Sequence, residues 1–273
     1  MSAGARRLFA RVITAIGTGV QSDPGCLREK RRDRSDVKKN ELKPHRDDYW
    51  AIPKIQDAEF VAHMKDVLDI YSRPYDPQKP LICLNEKPCM MHADKVQPLP
   101  IRNKSPRKTD YEYERRGSCS IFGIIELLTG KQYVDIRPTR TAIDFAEGVH
   151  HLVDDWYPQA EKIVLVMDNL NTHRIGSLYK KYPLAEAKRI LDKLDIHYTP
   201  KHGSWLNIAE IGLNLFSKQC LNRRIPTIEE LDRELNAWCE DRNHQSIAVK
   251  WPFTTADART KLGSLYPELT VVN

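Results

Sequence analysis

Lys162-Ile163-Val164-Leu165-Val166-Met167-Asp168-Asn169 is a short, unbroken apolar run closed by a carboxylate. A strand with one wet face would alternate apolar and polar residues, so this run predicts a central strand covered on both sides. Such a strand requires helices above and below its sheet, and the flanking sequence supplies them. From Thr141, a candidate N-cap, the residues Ile143, Phe145, Ala146, Val149, Leu152, Val153 and Trp156 recur at helical spacing and stop before Pro158. Downstream, Leu184 to Leu194 reads as a short helix, Ile196 to Thr199 as a strand and Ser204 to Leu221 as a longer helix. Two more helices follow, Thr227 to Asn243, which opens on the capping-box sequence Thr227-Ile228-Glu229-Glu230, and Thr254 to Leu262.

Upstream, Leu81-Ile82-Cys83-Leu84 reads as a buried strand, and Gly117 to Leu128 and Gln132 to Ile136 as two more, joined by the tight turn Thr129-Gly130-Lys131. These three are expected to be antiparallel neighbours. The order is then β-β-β-α-β-α-β-α-α. Three antiparallel strands followed by alternating helices and strands predict an α/β, RNase H-like fold, a mixed five-stranded sheet with helices on both faces. A doubly wound nucleotide-binding fold would alternate from the start. Neither GxGxxG nor a Walker A sequence occurs, and no internal repeat is seen.

A chain of 273 residues accommodates one large domain and a smaller appendage. No apolar run approaches the roughly 20 residues needed to cross a bilayer, and the net charge of +6 suits a polyanionic partner without requiring one. The six cysteines are scattered, without CxxC or zinc-finger spacing, and read as reduced thiols. Arg11 interrupts the apolar residues that follow Arg6 and Arg7, so the N-terminus reads as a leader without a cleavable signal. Gln21 to Asp48 is crowded with charge and reads as a linker or an exposed arm, and Asp57 to Tyr71 has helical periodicity. The expected organisation is a leader and charged linker over 1–48, a connecting helix within 49–79, the main domain over 80–262 and a tail over 263–273.

Asp168 sits where a central strand opens into the crevice at the carboxyl end of the sheet, the place where α/β sheets present functional groups. An Asp-Asn pair after a strand is also ordinary turn chemistry. Glu210 lies among Leu206, Ile208, Ile211, Leu213, Leu215 and Phe216, and a carboxylate in so apolar a helix calls for a metal or a basic partner.

Three blocks resemble the active-site motifs of bacterial insertion-sequence transposases of the mariner superfamily, from about Leu42 to Leu262: Cys83-Leu84-Asn85-Glu86-Lys87-Pro88, Val166-Met167-Asp168-Asn169-Leu170-Asn171-Thr172-His173 and His202-Gly203-Ser204-Trp205-Leu206-Asn207-Ile208-Ala209-Glu210. The resemblance implies a two-metal site, with Mg²⁺ or Mn²⁺ held by Asp168 and Glu210, and phosphodiester hydrolysis with strand transfer. Its first Asp falls on Asn85, which lacks the charge, and Glu86 is a poor substitute because neighbouring strand residues face opposite ways. Weakened metal binding and impaired cleavage are therefore expected, with a non-catalytic DNA-binding or partner-binding remnant as the alternative.

The resemblance further implies DNA partners, namely terminal inverted repeats and target DNA, a possible homodimer and a bacterial cytoplasmic, nucleoid-associated location. It also implies that Lys38 to His45 ends a helix-turn-helix region truncated in this chain. Lys87 joins Arg107 and Lys108 as candidate DNA contacts; the latter two belong to a basic stretch with Arg102, Lys104, Arg115 and Arg116 that equally reads as a solvated loop of mixed charge. His173, His202 and Trp205 are further candidate DNA contacts, with packing the competing reading for Trp205 and a structural role for His173.

Overall fold

The computed structural model describes residues 57–170, 173–245 and 251–267. The leader and linker expected over 1–48, with the helix-turn-helix remnant, and the end of the expected tail lie outside them. Strands β1 (Leu81–Asp94), β2 (Tyr113–Glu126), β3 (Gln132–Arg137), β4 (Ile163–Met167) and β5 (Leu194–Tyr198) form one sheet in the order β3-β2-β1-β4-β5. β1, β2 and β3 pair antiparallel, whereas β4 lies parallel to both β1 and β5. This is the RNase H-like arrangement expected of the element order, with the all-apolar strand at position four of five and every residue of it buried.

Seven α-helices cover the sheet among the described residues: α1 (Ala58–Tyr71), α2 (Ala142–His151), α3 (Gly176–Lys181), α4 (Leu184–Asp192), α5 (Ile208–Gln219), α6 (Ile228–Gln245) and α7 (Thr255–Lys261). Strand alternation sorts their contacts. Ile82, Leu84, Phe122, Ile124, Leu165 and Met167 pack beneath α2, α3 and α4. Cys83, Val164 and Val166 face the opposite layer, where α1, α5 and α7 converge, and Ile121 and Val134 meet α5 and α6. At about 1.5–3 kcal/mol for each large apolar side chain withdrawn from water, these two layers supply the main drive to fold.

Thr141 caps α2 in a capping box with Asp144, Thr254 does the same for α7 with Asp257, and Asp57 caps α1 through the Phe60 N–H at 3.0 Å. The connecting helix α1 is part of the core, since Met64 and Val67 are fully buried and the Tyr71 hydroxyl donates to the Leu206 carbonyl at 2.7 Å.

Several elements depart from the periodicity. β1 continues through Asp94 because β2, which starts at Tyr113 rather than Gly117, offers it a partner along that length. The helix after Thr141 ends in a π-helical turn, Leu152–Trp156. The segment expected as one helix from Ser204 to Leu221 is a 3₁₀ turn, Ser204–Leu206, followed by α5, because Asn207 stops the first and caps the second. The short α3 carries too little periodicity to be read from sequence.

Two glycines bring α5 tight against the sheet. A Cβ on Gly212 would lie 2.1 Å from Ile125 Cδ1, and one on Gly123 would lie 2.7 Å from Leu213 Cδ2. A Cβ at either position would have to displace the end of the facing side chain.

Candidate functional site

The parallel register Leu81↔Val164, Ile82↔Leu165, Cys83↔Val166 determines which residues meet at the carboxyl end of the sheet. Carried two residues further, it sets Asn85 level with Asp168; alternation along β1 gives Asn85 the parity of Cys83, on the α5 side, while Asp168, just past β4, has its carboxylate against His173. Asn85 is directly opposite Gly123, over which Leu213 of α5 packs. Glu210 precedes Leu213 by three residues and therefore shares its helix face, one turn closer to the start of α5.

Asn207 anchors that start. It is fully buried; its side-chain oxygen accepts the Ala209 N–H at 3.1 Å and its Nδ2 donates to the Leu84 carbonyl at 2.8 Å, beside Asn85. The backbone thus carries positions 85, 168 and 210 to the region where β4 ends, β1 runs past it and α5 begins. Asp168 is 27% exposed at its side chain, while Asn85 and Glu210 are half-buried. The Asn85 side-chain oxygen accepts the N–H of Glu86 at 2.9 Å, which turns its best ligand atom towards the backbone.

Beneath this group lies a constellation that sequence reading did not assemble. His173 is 0% exposed, with Nδ1 2.6 Å from Asp168 Oδ1 and Nε2 2.8 Å from Glu86 Oε1. The hydrogen bond of Nδ1 goes to the Asp168 backbone carbonyl at 3.2 Å, while Oδ1 makes a close ion-pair contact with the same nitrogen; carbonyl and carboxylate oxygens only accept, so both ring nitrogens donate and the imidazole is charged. Burial opposes that charge, but the hydrogen bonds to Asp168 and Glu86, reinforced by their negative charges, outweigh it and push the His173 pKa up to about 9.

Both His173 nitrogens have partners within the chain, which favours the structural reading of this residue over a DNA contact. Glu86 does face away from Asn85, as strand alternation requires, yet it reaches Asp168 through His173. The signals were the Glu that follows Asn85 and a His five residues past Asp168; their pairing spans 87 positions of chain and is invisible to local pattern.

His202 is exposed in a left-handed backbone conformation, φ 63°, at the turn into the Ser204–Leu206 segment. Trp205 packs edge-on against Phe253, with ring centroids 5.9 Å apart, which favours the packing reading of that residue. Lys87 is half-buried on β1.

Residues 95–112 form an arm between β1 and β2, pinned by Arg224. Its guanidinium donates to Asp94 at 2.7 Å and to the carbonyls of Asp110 at 2.6 Å and Glu112 at 2.9 Å. Arg102, Lys104, Arg107 and Lys108 are exposed on this arm, Arg107 lying 3.8 Å from Asp94.

Among the described residues, the one group of three potential metal-ligating side chains drawn together lies elsewhere, at His150, Asp154 and Glu186. Arg189 already pairs with Asp154 and Glu186, each at 2.6 Å, so this is an ion-pair network on the outer surface. The five described cysteines are unpaired thiols. Among the described residues no helix is long and apolar enough to cross a membrane.

Comparison with curated protein sequences finds no match. Among solved structures, the chain is similar to a Mos1 mariner paired-end complex with Mn, at 13% identity and a TM-score of 0.47, over 75% of this chain and 62% of that one. A Mos1 transposase paired-end complex with the left transposon end gives 14% identity and 0.48 over the same shares. A pre-cleavage Mos1 transpososome gives 10% identity and 0.48, over 83% of this chain and 68% of that one. The chain thus spans about 62% of the length of the first two. The family model described as DDE superfamily endonuclease matches residues 80–232, a stretch that holds Asn85, Asp168 and Glu210 and exceeds half of the chain, and the protein belongs to that family.

Proposed function

We propose that this chain is a transposase-type DDE domain that binds DNA and holds Mg²⁺ or Mn²⁺ through Asp168 and Glu210, with DNA cleavage impaired by Asn85. The observation that carries this reading is that the register of β1 and β4 brings Asn85 level with Asp168, just past the end of β4, with the start of α5 and Glu210 beside them. Two carboxylates are hard oxygen donors suited to such ions. Asp168 Oδ1 is buried against His173, which leaves Oδ2 as the oxygen able to face a metal. A divalent ion bound there supplies charge stabilisation for phosphodiester hydrolysis and strand transfer.

The chain's own contribution is to fix the carboxylates and to track DNA. α5, anchored by Asn207, holds Glu210 on a rigid element, and the exposed Arg102, Lys104, Arg107 and Lys108 offer an arm for the phosphate backbone. His202, exposed near the start of α5, and Lys87 are the further DNA contacts of this reading. In the same reading the partners are transposon terminal inverted repeats and target DNA, engaged by a homodimer in the bacterial cytoplasm. In this reading residues 80–262 form the catalytic domain.

The bond from the Glu86 N–H to the Asn85 side chain favours a second reading, a non-catalytic DNA-binding or partner-binding remnant. Calorimetric Mn²⁺ titration and nicking of supercoiled plasmid separate the two. Asn85→Asp restores a third carboxylate and is expected to tighten Mn²⁺ binding on the order of tenfold and to raise Mn²⁺-dependent nicking. If the unmodified chain nicks at the rate of the variant, impairment by Asn85 is refuted. If the variant binds no Mn²⁺, the metal site is refuted.

A further inference from the structure

We propose that His173, held from behind by Glu86, is a positioning residue that fixes Asp168 through a hydrogen bond to its backbone carbonyl and an ion-pair contact with Oδ1, leaving Oδ2 turned to the crevice, an inference that rests on the metal-site reading above. Three features leave the imidazole one orientation. Its nitrogens lie 2.6 Å from Asp168 Oδ1 and 2.8 Å from Glu86 Oε1, and its ring rests on Phe145 at 4.8 Å between centroids. The backbone is fixed as well, since the His173 N–H donates to the Leu170 carbonyl at 3.1 Å and its own carbonyl accepts the Tyr198 hydroxyl at 3.1 Å.

Glu86 is nearly as enclosed as His173, with 3% of its side chain exposed and Oε2 lacking a hydrogen-bond partner. A buried carboxylate is costly unless it is paired, and His173 Nε2 at 2.8 Å is the partner of Glu86. Here Glu86 fixes one face of the imidazole, and the imidazole fixes Asp168. Carboxylate–histidine supports of this kind orient ligands and, when removed, cost about 10–100-fold in metal affinity.

Two substitutions separate positioning from packing. The amide of Asn stands where Nδ1 stands, so His173→Asn keeps a donor for Asp168 and loses the one for Glu86. His173→Gln does the reverse. Mn²⁺ affinity, followed by the electron paramagnetic resonance of the free ion, is expected to fall about tenfold or more in His173→Gln and about threefold or less in His173→Asn. Thermal stability is expected in the opposite order, His173→Asn being the weaker because Glu86 is left buried without a donor.

Affinity that falls in step with stability, or that is unchanged in both variants, overturns the proposal. An unmodified chain that binds no Mn²⁺ overturns the metal reading first and this inference with it. A measurement on the unmodified chain needs no variant to fold. Mg²⁺ should move the His173 Nδ1 proton resonance, because the two oxygens of Asp168 share one charge, and a resonance unmoved at saturating Mg²⁺ also overturns it.

Discussion

Replacing Asn207 by Ala removes two hydrogen bonds from a side chain that is fully buried. One caps α5 through the Ala209 N–H, and the other ties that helix to the Leu84 carbonyl on β1. A lost N-cap costs about 1 kcal/mol. A lost buried hydrogen bond to a neutral carbonyl costs about another 1 kcal/mol. The sum is about 2 kcal/mol, which at a urea dependence of about 2 kcal/mol per molar lowers the unfolding midpoint by about 1 M. Asn207→Ser keeps a capping oxygen but no donor for Leu84, so it should lose roughly half as much. Equilibrium urea unfolding monitored by tryptophan fluorescence reads both variants. A shift for Asn207→Ala below about 0.2 M, or a Ser variant as unstable as the Ala variant, would refute the assignment of two separate bonds.

Stability should also depend on pH through His173. Its folded pKa of about 9 lies above the ordinary 6.5, so its contribution is fully present below about pH 6.5 and is lost as pH rises through about 9. At 1.36 kcal/mol per pKa unit the loss is about 3 kcal/mol, and the difference in urea stability between the parent and His173→Gln should shrink over that window. Gly203→Ala would place a Cβ 2.5 Å from Pro200 Cγ and 3.0 Å from the Pro200 carbonyl oxygen. Its expected cost is about 1–3 kcal/mol, visible as a lower calorimetric midpoint, and an unchanged midpoint would mean that the turn relaxes freely. Substituting Arg102, Lys104, Arg107 and Lys108 together by Ala should weaken duplex binding and reduce the slope of log affinity against log salt by roughly 3 to 4, as fluorescence anisotropy would show. An unaltered slope would remove the arm from the DNA interface.

Much of this protein follows from local pattern. The apolar run Ile163 to Met167 could only be a strand with both faces covered, and Asp168 at its end had to meet the crevice. The helices after Thr141, Thr227 and Thr254 were marked by side chains that satisfy free N–H groups within one turn, so a few residues suffice to locate them. The identity of Asn85 was equally plain, and so was the loss of charge it entails.

What local pattern could not convey was decided by contacts distant in sequence. β1 extends through Asp94 because β2 pairs along it, although the residues after Leu84 are mostly polar or partly exposed and resemble a loop. Asn207 reads as a cap from its neighbours, but its bond to Leu84 crosses 123 positions. His173 reads as an isolated histidine, a DNA contact or a structural residue, until the folded sheet brings Glu86 to one nitrogen and Asp168 to the other. The physical reason is the same in each case. Periodicity and capping report energies settled within a turn or two of chain, whereas the partner and protonation of a buried polar group are set by whatever charge the sheet places beside it.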